Sequence, residues 1–349
     1  MATHRKDTSA PRFSLGTLTA AGVGAALGLS RMLKKPRFSF SGRTVLITGG
    51  TRGLGLVMAR MFLKEGARVA ICGRDVTTLD RARDELERSG GEVLAVPCDV
   101  TDQVQVEAMV AAIHGRWGAV DVLINNAGVI QVGPLESMTL EDFREAVDIH
   151  LYGPLFTALA VLPEMKRRGE GRIVNISSVG GKMSIPHLVP YSASKFALVG
   201  LSDGMRAELR QDGILVTTVC PGLMRTGSPR NAYFKGNHEA EYAWFTVGDS
   251  LPLMSMSAEH AAGKIIEACR RGDAEALVGM PAKMVAVGRA LAPNLTATVA
   301  AWVTRFLPQD STPERFTGKQ SETPLSESWL TELSRRAAER NNENEVPIH

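Results

Sequence analysis

"RTVLITGGTRGLGLVMARMFLKEG", Arg43–Gly66, decides how the rest of the chain is read. Its apolar run "TVLIT" is too short for a helix and ends in glycines, which reads as a strand. From Leu54 the apolar residues recur at helical spacing, and Gly66 supplies a stop. The stretch therefore predicts strand, glycine turn, helix. A helix N-terminus presents unpaired N–H groups and the positive end of a dipole, so an anion is at home there. Gly49, Gly53 and Gly55 let the backbone turn tightly and approach a pyrophosphate, with Thr51, Arg52 and Leu54 completing the turn. The spacing is TGxxxGxG rather than GxGxxG, and a glycine cluster by itself serves equally as a bare strand-to-helix junction.

Outward from this unit the same alternation continues. "ARVAICG", "EVLAVPCDV", "VDVLINNAG", "GRIVNISS" and "ILVTTVCPG" are short apolar runs separated by segments of helical spacing. Such alternation implies βαβ units. The expected fold class is α/β, a Rossmann-like doubly wound parallel sheet with helices on both faces. We expect an N-terminal leader over 1–40, the α/β domain over 41–275, an apolar helical extension over 276–308 and a polar tail over 309–349. The tail composition predicts disorder, apart from a helix at Glu327–Arg340.

Net charge is +3, too mild to argue for nucleic acid. Cys72, Cys98, Cys220 and Cys269 form no CxxC or Cys/His cluster, so they read as reduced, buried thiols rather than metal ligands or disulfides. No metal is expected. Phe13–Leu29 is uncharged and flanked by basic residues, but rich in Gly and Ala. A membrane-spanning helix needs about 20 clearly apolar residues. The stretch is read as a candidate membrane anchor, with a disordered leader as the main alternative and a signal-like or targeting segment as another; if it inserts, the basic Arg31–Arg37 side keeps the α/β domain cytoplasmic.

Tyr191 and Lys195 stand four residues apart in "YSASK", so both lie on one helix face with small residues between. A cation one turn from a phenol favours the phenolate, which makes the pair a candidate general acid. At the end of the second run, where an acid holds a free ribose 2′-hydroxyl, the chain has Gly73 followed by Arg74. With Arg52, that suits a 2′-phosphate, because guanidinium binds phosphate bidentately. Asp75 is better placed as a helix cap. Asp99 and Val100 end the third run, where they can meet an adenine; Asn126, Ala127 and Gly128 end the fourth, as ligand contacts or as ties between strand ends.

These motifs in this order, over Gly42–Arg271, resemble the short-chain dehydrogenase/reductase family. The resemblance implies a sheet of about seven strands, hydride transfer to or from a nicotinamide, and a homo-oligomer. It implies Tyr191 as proton donor, Lys195 as its partner and ribose ligand, and Ser178 as the donor to the substrate oxygen. Pro221 and Gly222 would flank the nicotinamide and Thr226 would bond its carboxamide. One position departs: His150 in "DIHLYG" stands where the family has Asn, and a neutral imidazole could carry the same proton relay or be a packed helix residue with no catalytic part. His187, just before Tyr191, lines the substrate cleft or a surface loop.

The expected activity is an NADP(H)-dependent oxidoreductase interconverting a carbonyl and a secondary alcohol, in the reductive direction. The apolar 282–307 segment and the leader point to a hydrophobic substrate and a membrane-associated protein. The aromatic-rich Leu223–Ser257 segment reads as the substrate lid. The alternatives are a non-catalytic NADP(H)-binding scaffold or redox sensor, which would be expected to lose members of the Ser178/Tyr191/Lys195 set, and an epimerase or dehydratase on the same fold.

Overall fold

The computed structural model describes residues 38–251, 254–324, 326 and 331–343. The expected leader through residue 37, with the anchor at 13–29, lies outside the described residues. The chain alternates as the sequence predicts. Strand β1 (Thr44–Thr48) runs through the glycine turn into α1 (Gly53–Lys64), then β2 (Arg68–Gly73), α2 (Val76–Arg88), β3 (Val93–Pro97), α3 (Gln103–Trp117) and β4 (Val122–Asn125). A short β5 (Gln131–Val132) precedes α4 (Leu140–Val147), a π-helical turn at Asp148–Tyr152 and α5 (Gly153–Arg168). Next come β6 (Gly171–Ile176), α6 (Val189–Leu209), β7 (Ile214–Pro221), β8 (Leu223–Arg225), β9 (Tyr233–Phe234), α7 (His238–Ser250), β10 (Ser255–Ser257), α8 (Ala258–Arg271) and β11 (Glu275–Val278). The helices α9 (Met280–Leu291) and α10 (Pro293–Thr304), strand β12 (Phe316–Thr317) and α11 (Glu332–Arg340) follow.

Seven strands form one parallel sheet in the order β11-β7-β6-β4-β1-β2-β3. The seventh is β11, so the sheet ends at Val278 and not at the 275 boundary expected from composition. Alternation along the strands sends Leu46, Cys72, Leu123 and Ile173 into one cluster with Val106, Met109 and Ile113 of α3 and Ala158, Val161 and Met165 of α5. Their neighbours Val45, Ile47, Ile71 and Ile124 are fully buried on the other side. Both faces are therefore covered, as a parallel sheet requires. The helical run Leu140–Arg168 is long and apolar enough to cross a membrane by length and composition alone, and its apolar side packs on this core.

The strand order reverses between β1 and β4, which opens a crevice at their C-terminal ends. Thr48 Oγ1 stitches it, accepting from Asn126 N at 3.0 Å and Ala127 N at 3.1 Å. Within the 309–349 tail, read from sequence as disordered, the described residues include strand β12 and helix α11. β12 pairs antiparallel with β9, and α11 packs against α7 and β8. Its polar composition hides this, because its contacts are side-chain and carbonyl hydrogen bonds rather than an apolar stripe. The helix begins at Glu332, inside the predicted 327–340 span.

Candidate active site

Three elements converge above the crevice. Ser178 follows β6, and its hydroxyl accepts from Gly180 N at 3.0 Å, which fixes its rotamer. A Cβ at Gly180 would come 3.2 Å from the Tyr191 ring, so a side chain there would crowd the ring and require it to shift slightly. Tyr191 sits in the first turn of α6 and hydrogen-bonds Ser178. Lys195 is one turn further on, buried, with Nζ donating to Ile176 O at 2.8 Å. The small residues of "YSASK" let α6 press on the sheet: Ser202 accepts from Asn175 and Thr218 at 3.1 and 2.8 Å.

Electrostatics at this pair run differently from the sequence argument. Burial pushes the Tyr191 phenol above its ordinary value, and the bond to Ser178 only partly offsets this. Lys195 Nζ lies 5.7 Å from the ring centroid and is spent on a carbonyl, too distant to reverse the desolvation. Burial instead pushes Lys195 itself down to about 7, because an ammonium loses more hydration than one carbonyl returns.

His150 is buried in the π-helical turn. Its Nε2 accepts from Val129 N at 3.1 Å. Ser194 Oγ donates to Tyr191 O at 2.8 Å, so at 2.7 Å from His150 Nδ1 it is the acceptor. This fixes a neutral ring protonated at Nδ1. Burial, with the nearby Lys195, holds its pKa well below the ordinary value. Both nitrogens are therefore engaged, Nε2 with a backbone N–H and Nδ1 with the Ser194 hydroxyl.

A cavity of about 360 Å³ joins this group to the glycine turn. It is lined by Ser178, Tyr191, Lys195, His150, Gly49, Thr51, Arg52, Gly53, Leu54, Arg74, Asp99, Val100, Asn126, Ala127, Gly128, Pro221, Gly222 and Thr226. Of the site residues predicted from sequence, Gly55 does not line it: a Cβ there would strike Gly49 O, so it serves the packing of α1 onto the turn. Asn126 lines the cavity, but its side-chain amide is spent on Thr48 O and Gly49 O, both at 3.1 Å. Asp99 accepts from Thr101 N and Oγ1 at 3.0 and 2.8 Å and lies 3.8 Å from Arg74. Asp75 caps α2 through Thr78 N, as expected. Thr226 Oγ1 donates to Ser228 Oγ at 2.8 Å. His187 is buried rather than on an open loop: Nδ1 lies 2.6 Å from Glu241 Oε1 of α7, whose other oxygen accepts from Trp244 Nε1.

Among the lining residues that sequence reasoning did not single out are Asn231 and Glu343. No local pattern marks either, since both reach the cavity from far along the chain. The cradle fits a dinucleotide phosphate on its own geometry. Gly49 and Gly53 have φ of +62° and +55°, and a Cβ at Gly49 would approach Ala127 Cα to 2.9 Å.

A parallel sheet with a glycine turn at its switch point, joined by one cavity to a serine, a tyrosine and a lysine, defines a nucleotide-dependent α/β oxidoreductase. The comparisons make the class specific. The family model for short chain dehydrogenase matches residues 43–234. A putative ketoacyl reductase of Streptomyces coelicolor is 43% identical over 183 residues, 52% of this chain and 70% of that protein. Dehydrogenase/reductase SDR family member 7B of Mus musculus is 34% identical over 263 residues, 74% of this chain and 80% of that protein. The crystal structure of a gluconate 5-dehydrogenase from Burkholderia cenocepacia, in complex with NADP and tartrate, superposes with a TM-score of 0.62 at 28% identity, over 71% of this chain and 97% of that one. The chain belongs to the short-chain dehydrogenase family, oxidoreductases that act on CH–OH groups.

Proposed function

We propose that the chain is an NADP(H)-dependent reductase converting a lipophilic ketone or aldehyde to its alcohol. The observation that carries this is the Ser178–Tyr191 pair beside Lys195, in the cavity that also reaches Arg52 and Arg74. A bound nicotinamide supplies the hydride. The chain supplies the rest: Ser178 donates to the substrate oxygen as charge gathers there, and Tyr191 delivers the proton. Lys195 borders the phenol and the ribose subsite. His150 is a positioning residue, holding the first turn of α6 to the end of the Val129 strand connection.

Arg74 is exposed at the end of β2, where no acid stands to hold a free 2′-hydroxyl. NADPH oxidation against a panel of carbonyl compounds should outpace NADH oxidation. Arg74→Ala is expected to lower kcat/KM for NADPH about tenfold, the worth of one charge-assisted contact, and to leave NADH unchanged. An unaltered chain that prefers NADH would sink the coenzyme assignment.

The substrate class rests on the α9–α10 hairpin. α9 turns Met280, Met284, Val287 and Leu291 outward, and α10 does the same with Leu295, Val299 and Trp302. An apolar stripe on the outer side of both helices is the reverse of a core-facing helix. Residues 276–309 contain no Asp or Glu, but do contain Lys283, Arg289 and Arg305. That combination suits an anionic bilayer surface. A second cavity, about 760 Å³, lies between the hairpin and the 183–189 segment leading to Tyr191. Vesicles of mixed phosphatidylserine and phosphatidylcholine should carry the protein upward in a flotation gradient, and Leu291→Glu with Trp302→Glu should abolish this. Protein left at the bottom with the unaltered chain would rule out the bilayer.

A further inference from the structure

We propose that the C-terminal segment 331–343 is an intramolecular competitor for the coenzyme, a strap whose Glu343 carboxylate takes the place of the pyrophosphate. The inference rests on the reading of the crevice as a coenzyme site, and it concerns what else that site binds.

The strap is built by a local sequence device. α11 ends in "RNNE", and Asn342 adopts φ +58°, the left-handed conformation that Asn tolerates at a helix terminus. Glu343 N then donates back to Ala338 O at 3.0 Å, closing the helix and turning Glu343 toward the crevice. The strap is anchored from outside the cavity as well. Arg60 of α1 donates to Arg340 O at 2.6 Å and to Asn341 Oδ1 at 3.2 Å. Ser334 Oγ donates to Asp249 of α7 at 3.3 Å.

What the strap touches is the phosphate cradle itself. Gly53 N, the first N–H of α1, donates to Asn341 O at 2.8 Å. Asn342 Nδ2 donates to Thr51 O at 2.9 Å. A Cβ on Gly53 would fall on the Glu343 carboxylate, so that carboxylate rests against the helix N-terminus. Arg52, one of the two cations suited to a 2′-phosphate, lies 3.6 Å from Glu343 Oε2. Asn231 donates to the same oxygen at 2.6 Å. Burial pushes the Glu343 carboxyl up to about 7, and it lies beside a helix N-terminus, a guanidinium and an amide. Those are the groups a pyrophosphate needs. Asn341 O takes the Gly53 N–H and the Glu343 carboxyl fills the space beside it, so coenzyme and strap exclude each other.

A strap docked about 90% of the time raises the apparent Kd for coenzyme about tenfold. In the full-length chain, NADPH titration followed by its fluorescence should therefore give a Kd about tenfold lower for Glu343→Ala than for the unaltered protein. Arg60→Ala, which loosens the anchor without touching the cavity, should shift the Kd in the same direction. Hydrogen exchange of 331–343 should speed up when NADPH is added to the unaltered chain. Equal Kd values in all three proteins would overturn the proposal. So would weaker binding by Glu343→Ala, or slower exchange of 331–343 with NADPH, because either makes the strap a wall of the loaded site. If no form bound NADPH, the coenzyme reading would fall and this inference with it.

Discussion

Tyr191→Phe is expected to lower turnover of carbonyl substrates about a thousandfold, within the range that general acid catalysis contributes. The change removes one oxygen and little volume. The ring keeps its place against Gly180 and its edge contact with His150, whose centroid is 5.5 Å away. The fold and the phosphate cradle are therefore untouched, and NADPH affinity should stay within about twofold of the unaltered protein. The informative comparison is steady-state NADPH oxidation beside NADPH titration on the same preparation. Loss of both together would mean that the phenol holds the site's structure. Loss of neither would place the proton donor elsewhere.

Lys195→Met is expected to abolish turnover and yet to stabilise the fold at low pH. The sign follows from the position of the titration. Burial holds the ammonium down to about 7 in the folded chain, against about 10.4 when unfolded. Between these values the unfolded state binds more protons, so stability rises with pH across that window. Below 7 both states carry the charge and the folded one bears the whole desolvation cost; above 10.5 both are neutral and the cost is gone. Removing the amine should thus raise Tm by on the order of 5 °C at pH 6 and by almost nothing at pH 10.5. A uniform rise or fall across that range would mean that the buried charge is not what the substitution relieves. A catalytic group kept at a cost to stability is common at active sites.

The chain of bonds from Val129 N through His150 and Ser194 to Tyr191 O shows why the role of His150 could not be read fully from its letters. The sequence identifies His150 as the departure from the family's Asn and allows a relay. Which tautomer the ring holds depends on Ser194, 44 residues away, and on where that hydroxyl sends its proton. The same limit applies to His187. Its neighbours in sequence do not disclose Glu241, 54 residues further on. A side chain's hydrogen-bond capacity is local, but its partners are not.

By itself the sequence determined the alternation of strand and helix, the glycine turn at the first junction and the one-turn spacing of Tyr191 and Lys195. These depend on periods of 2 and 3.6 residues and on glycine's freedom at positive φ, all properties of short stretches. Tertiary structure alone decided the direction of the Tyr191 and Lys195 titrations, because desolvation depends on what surrounds a group. It also decided that Val278 closes the sheet, that the α9–α10 stripe faces outward, and that a polar tail brings Glu343 onto the phosphate cradle. That last contact joins Gly53 to Asn341 across most of the chain by single hydrogen bonds, which leave no periodic trace in either segment.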